Sequence, residues 1–212
     1  MDFEVRTIGR AEDDGWLGLQ AIAQDVSQHL SLGGLLAHPT TGVYGLGGAL
    51  RKDVESCLAR VKDRADKTGF VYLVADVAAA RAHFPHVRWT RLADRLAEVF
   101  WPGPLTLVLD DGSAAGVAIR AEAHPVTREV LGCWAGPVSS TSLNLAGAPA
   151  ATSGAEARSV LHSMPSAGLP VLLLDVGSLP GSPASTLVKV GEDWEVLREG
   201  AVSSHRILSV LS

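Results

Sequence analysis

Apolar residues recur at helical spacing from Trp16 to Leu30, where Leu17, Leu19, Ile22, Val26 and Leu30 mark one face and Gly33-Gly34 end the run. Leu35-Leu36-Ala37 predicts a short strand that closes at His38-Pro39. The glycines of Thr41–Gly48 (TGVYGLGG) predict a turn after it. Asp53–Val61 sets Val54, Cys57, Leu58 and Val61 on one helix face, and Phe70–Val74 has the unbroken apolar character of a buried strand. Asp76 is placed to cap a helix over Val77–Phe84. Thr90 is placed to cap the next, whose stripe is Leu92, Leu96, Val99 and Phe100.

The second half continues in the same units. Leu105–Leu109 and Val117–Arg120 predict two strands joined through Asp110-Asp111-Gly112-Ser113. Pro125–Leu131 predicts a helix with proline in its first turn, and Val138–Thr141 a strand. Ser153–Leu161 predicts a helix with a capping box from Ser153 and Glu156. A strand at Val171–Leu174, a loop at Gly177–Pro183, a hairpin of Ser185–Val190 with Trp194–Leu197, and a helix at Ser204–Leu211 complete the reading. Helices and strands alternate, but two hairpins interrupt the alternation. The expected class is therefore α/β, a single domain over residues 1–212 with a mixed parallel and antiparallel sheet.

Composition narrows the function. Of 212 residues, 47% are hydrophobic and 19% charged, which excludes a disordered chain. Eighteen Lys and Arg against 23 Asp and Glu leave a net charge of −5, which disfavours a broad nucleic-acid surface but leaves room for a local basic cleft. No apolar run approaches membrane-spanning length, no signal core opens the chain, and the two cysteines, Cys57 and Cys133, form no framework. A cytoplasmic protein without a membrane partner is expected.

Familiar catalytic templates are missing: no phosphate loop, no third glycine after GLGG, no zinc helix and no G-x-S-x-G elbow. His83 and His86 read as surface histidines. Polar residues instead cluster at strand ends and loops. His38–Gly48 follows a strand with two threonines and glycines that admit close backbone approach. Lys62 and Arg64 end a helix, where dipole matching alone would suit them. In Ser139–Pro149 (SSTSLNLAGAP), five hydroxyl or amide residues fall within six positions, and such groups need partners if buried. Arg120, Ser182, Ser185, Thr186 and Arg198 add a spread of cations and hydroxyls.

In order, HPTTGVYGLG, KDR, WPGPLTLVL, VAIRAEAHP, SSTSLNLAGAP, SPASTLVKV and LREGAV resemble the YrdC/TsaC family of L-threonylcarbamoyladenylate synthases, from about Leu35 to Val202. The resemblance implies a YrdC-like twisted sheet flanked by helices, with a deep, positively lined cleft. It implies that L-threonine, bicarbonate and ATP with Mg²⁺ give threonylcarbamoyl-AMP and pyrophosphate. Separate proteins would then transfer the threonylcarbamoyl group to tRNA, and direct tRNA binding is left open. In that chemistry one anion attacks another, so the site must supply charge neutralisation and alignment rather than a nucleophile. Lys62 and Arg64 are the expected catalytic cations for the triphosphate. Ser142 and Asn144, two apart and so on one face of an extended segment, would join them and Arg198 in binding nucleotide. Arg120 would hold the threonine carboxylate through its fork, with Thr40, Ser182 and Ser185 as further substrate contacts. Mg²⁺ is expected on phosphates, with no protein metal ligands.

The sequence departs from that pattern at several points. Gly42 stands where a second threonine is usual, and Glu122 where a proline is usual. Ala65, Thr68, Gly69 and Leu73 stand near positions that usually carry prolines and a histidine. The losses at Gly42 and Leu73 are expected on the amino-acid side of the cleft. The alternative is a YciO-like relative that binds nucleotide or RNA, with altered substrate or weak synthase activity. Asn144 favours the synthases.

Overall fold

The computed structural model describes residues 1–10, 15–62 and 69–211. Their strands are β1 (Glu4–Thr7), β2 (Leu35–Pro39), β3 (Tyr44–Ala49), β4 (Val71–Val74), β5 (Leu105–Leu109), β6 (Val117–Ala121), β7 (Val138–Ser142), β8 (Val171–Asp175), β9 (Thr186–Val190) and β10 (Trp194–Arg198). They join in one sheet in the order β1-β8-β2-β3-β7-β4-β6-β5-β9-β10. β8 runs parallel to β1 and β2, β4 to β6, and β5 to β9, while the remaining neighbours are antiparallel. The mixed sheet and both expected hairpins, β5–β6 and β9–β10, are present.

Side-chain alternation explains the layers. In β2, Leu35 and Ala37 face the helices α2 (Lys52–Val61) and α6 (Gly154–Ser163). Leu36, between them, faces α1 (Leu19–Ser31) and α5 (Pro125–Trp134). With helices over both faces, β2 and β8 are buried at every position, and their sequences are unbroken apolar runs apart from the ends. A third cluster packs β5, β6 and β9 against α4 (Arg91–Phe100) and α7 (Ser204–Leu211), with α3 (Val77–His83) beside it. The expected caps form: the Asp76 carboxylate accepts from Ala79 N at 2.7 Å and the Thr90 hydroxyl from Ala93 N at 3.3 Å. Ser153 accepts from Glu156 N at 3.2 Å, but the returning arm of that box lands on Thr152 N at 2.7 Å instead.

Two strands differ from the sequence reading. The glycine-rich stretch predicted as a turn is mostly β3, a fully buried central strand, and the turn itself is confined to residues 40–43. Its glycines answer crowding: a Cβ at Gly47 would overlap the Ser139 carbonyl oxygen, and one at Gly48 would sit 2.6 Å from Val54 Cγ1. β1 was not anticipated. Its four residues are half exposed at the sheet edge, and only its pairing with β8 defines it.

Candidate functional site

A cleft of about 370 Å³ opens between the β2–β3 turn, the C-terminal end of β7, the segment 182–185 and the end of β10. Thr40, Arg120, Ser142, Asn144, Ser182, Ser185 and Arg198 all line it. At the end of β7, Ser142 and Asn144 line the cleft, while Leu143 between them is fully buried in the core with α2 and α6. Lys62, at the C-terminus of α2, lines an adjoining hollow with Asn144. Its ammonium donates to Ser142 O at 2.9 Å, Asn144 O at 2.6 Å and Asn144 Oδ1 at 2.7 Å, while the Ser142 hydroxyl donates to the same Oδ1 at 2.7 Å. Arg64, like Ala65 and Thr68, lies outside the described residues.

Several expected ligand contacts are committed within the protein. The Thr40 hydroxyl donates to Val43 O at 2.7 Å and so closes its own turn. Ser185 Oγ shares a hydrogen with Thr106 Oγ1 at 2.8 Å. Arg198 Nη2 donates to Ser185 O at 2.8 Å, and both burial and the Arg120 guanidinium lower the Arg198 pKa.

Arg120 has an unexpected partner. Its Nη2 donates to Glu122 Oε2, and among the described residues its buried Nε has no hydrogen-bond partner. Glu122 is completely buried. Its Oε1 accepts from Thr41 N at 3.1 Å, Thr41 Oγ1 at 2.8 Å, Ala123 N at 3.0 Å and His124 N at 3.0 Å. Burial alone would raise its pKa, but the Arg120 charge, the Thr41 hydrogen bond and the His124 N–H outweigh it and hold the carboxyl below its ordinary range. The residue that replaces the usual proline therefore ties the β2–β3 turn to β6 and the start of α5.

Gly42 does line the cleft, but not as an empty hydroxyl position. A Cβ there would run into Ser182, whose carbonyl oxygen would lie 2.7 Å away. Leu73 departs from expectation: it is fully buried among the residues facing α1 and α5, and it is not part of the cleft wall.

Ser140 lines the cleft and has a fully buried histidine behind it, a pair that no sequence motif marks. His38 on β2 and Ser140 on β7 meet across β3, with Ser140 Oγ 3.1 Å from His38 Nε2. Gly45 makes the gap, since its Cβ would fall 2.8 Å from His38 Cε1 and 2.9 Å from Ser140 Oγ. Burial pushes the His38 imidazole down to about 4, with Glu122 opposing.

A family model named Sua5_yciO_yrdC, described as telomere recombination, matches residues 28–200. The chain belongs to the Sua5/YciO/YrdC family. Relatives of this family include the threonylcarbamoyl-AMP synthase of Chromohalobacter salexigens, 34% identical over 186 residues covering 82% of this chain and 95% of that one. The Vibrio cholerae enzyme of the same name is 30% identical over 192 residues, 84% and 96% of the two chains. Among solved structures, P. abyssi Sua5 complexed with L-threonine has a TM-score of 0.80 at 22% identity. That match covers 98% of this chain and 60% of the Sua5 chain. E. coli YciO has a TM-score of 0.77 at 20% identity, covering 97% and 98%. At these identities the two structures speak for the Sua5/YciO/YrdC fold. Among the described residues no helix is long and apolar enough to cross a membrane, and no three His, Cys, Asp or Glu converge as a metal site.

Proposed function

We propose that this protein is a threonylcarbamoyl-AMP synthase, a nucleotidyltransferase that joins L-threonine, bicarbonate and ATP. The observation that carries the reading is the corner where the Lys62 ammonium sits on Ser142 and Asn144, two residues that line the cleft together with Arg120 and Arg198. The names of the relatives support the same reaction. The substrate amine, as the free base, attacks the carbon of bicarbonate and forms the carbamate N–C bond as a C–O bond breaks and water leaves. With CO₂ a C=O π bond opens instead and the amine gives up a proton to water. A carbamate oxygen then bonds to the α-phosphorus as the bond to pyrophosphate breaks. Lys62 and Arg198 offset the phosphate charge that makes this attack unfavourable, with Arg64 as the second cation of the K-x-R. Ser142 and Asn144 orient phosphate oxygens. Arg120 receives the amino-acid carboxylate, and Thr40, Ser182 and Ser185 shape that end. Mg²⁺ accompanies ATP on its phosphates. Downstream, the product goes to proteins that modify tRNA in the cytoplasm, and residues 1–212 act as one domain.

Pyrophosphate release, measured across the amino acids with and without bicarbonate, tests the proposal. Turnover that needs both L-threonine and bicarbonate is expected, and ATP binding without any such turnover would sink it. A second reading, a YciO-like relative with an altered substrate, is favoured by one observation: Glu122 already occupies a hydrogen of the Arg120 fork. Turnover with an amino acid other than threonine would select it.

A further inference from the structure

The hydrogen of the Ser140 hydroxyl can be assigned from its surroundings. His38 Nδ1 lies 3.4 Å from the Pro39 carbonyl oxygen, which only accepts, so Nδ1 carries the imidazole hydrogen. Burial keeps His38 neutral at ordinary pH. Nε2 is then a bare lone pair, and at 3.1 Å it accepts the one hydrogen that Ser140 Oγ has. The same Pro39 oxygen also accepts from the Thr127 hydroxyl at 2.5 Å, which fixes it in place. Ser140 therefore shows the cleft only lone pairs, and it lines that cleft together with Arg120.

We infer that Ser140, locked by His38 as a pure hydrogen-bond acceptor, is the specificity-determining contact for the amino nitrogen of the substrate. The inference rests on the amino-acid reading of the cleft given above. Lone pairs repel phosphate and carboxylate oxygens and attract an N–H donor, so this floor suits the amine and not the triphosphate. The spacing agrees. Val71 pairs with both Ser140 and Ala118, and Arg120 lies two residues beyond Ala118 on the same face of β6. Arg120 and Ser140 both line the cleft, so a cation for the carboxylate and an acceptor for the adjacent ammonium share one cavity. Gly45 keeps open the space between His38 and Ser140 in which their hydrogen bond forms.

Calorimetric binding in the presence of a non-hydrolysable ATP analogue tests this. L-threonine is compared with 3-hydroxybutyrate, the same skeleton without its amine. The wild type is expected to prefer L-threonine by about 10-fold or more, and Ser140→Ala to shrink that preference to about 2-fold, as when a site loses the partner of a substrate N–H. Ser140→Thr, which keeps the hydroxyl, should retain the preference. His38→Phe, which frees the Ser140 hydrogen to turn into the cleft, should reduce it although Ser140 remains. Affinity for the ATP analogue should change by less than about 2-fold in every variant, because the contact is local. A wild type without the preference, a Ser140→Ala protein that keeps it, or a parallel loss of nucleotide affinity would each overturn the inference. Failure of the synthase reading shows separately, as a wild type that binds these ligands but releases no pyrophosphate. The amine preference then still decides the role of Ser140.

Discussion

Glu122→Ala would leave the Arg120 guanidinium in a nearly closed pocket without its counter-charge, and Thr41, Ala123 and His124 without an acceptor. Breaking a buried pair from one side costs about 3–5 kcal/mol, so a loss of that size in urea unfolding is expected. Acid should act through the same neighbourhood. The unfolded chain protonates His38 near 6.5, whereas the folded chain resists until about 4. Stability therefore falls as pH drops across that window, by roughly 3 kcal/mol in all. His38→Phe should flatten that part of the pH–stability curve, and an unchanged slope would contradict the assignment. Glu122 acts lower down. Its folded pKa is depressed, so its contribution is present above the ordinary carboxylate range and disappears as pH falls through the folded value. At Lys62 the consequence is kinetic: Lys62→Ala should lower turnover by about 10²-fold, the scale of a preorganised charge contact, while changing stability by less than about 1 kcal/mol. Equal turnover would return Lys62 to a helix-capping role.

Among the elements, β3 shows where a sequence misleads. Glycine is depleted in strands, so YGLGGA reads as a turn. Its identity as a strand comes from β2 on one side and β7 on the other, partners that local pattern does not reveal. β2 and β8 were legible as short apolar runs and α4 by its helical apolar period, whereas β1 needed β8 to exist. Gly47→Ala should destabilise by about 1–3 kcal/mol, since overpacking forces the strands apart, and thermal melts would register it. Leu143→Asp should abolish folding, because Leu143 is fully buried among the residues facing α2 and α6 and a charge there has no partner. A folded Leu143→Asp protein would show that the segment after β7 can turn over and that the placement of Ser142 and Asn144 on one side is not fixed.

At the scale of the whole molecule, a net charge of −5 coexists with a cleft whose lining side chains include Arg120 and Arg198. Such a local field favours small anions over long polyanions. If ATP binds there, a concentration about 100 times its dissociation constant should raise stability by about 2.7 kcal/mol, and Lys62→Ala should show a smaller rise at the same concentration. Most of the cleft was legible because its residues sit in compact motifs at strand ends. Glu122 was visible only as a departure, because Thr41, which gives it two of its hydrogen bonds, lies 81 residues away in the sequence. His38 and Ser140 were hidden for the same reason, being 102 residues apart.

The sheet order has a consequence for how the chain is made. β2 and β3 follow one another in the chain and pair with each other, but their outer neighbours are β8 and β7. A ribosome adding roughly 5–20 residues per second needs on the order of ten seconds to travel from Ala49 to Val171. The nascent hairpin carries apolar side chains and has two unpaired edges until β7 is made and one until β8 is made, with the cleft's first threonines at its tip. That hairpin is the segment a holdase chaperone would shield, and a pause in translation before β7 would prolong its exposure.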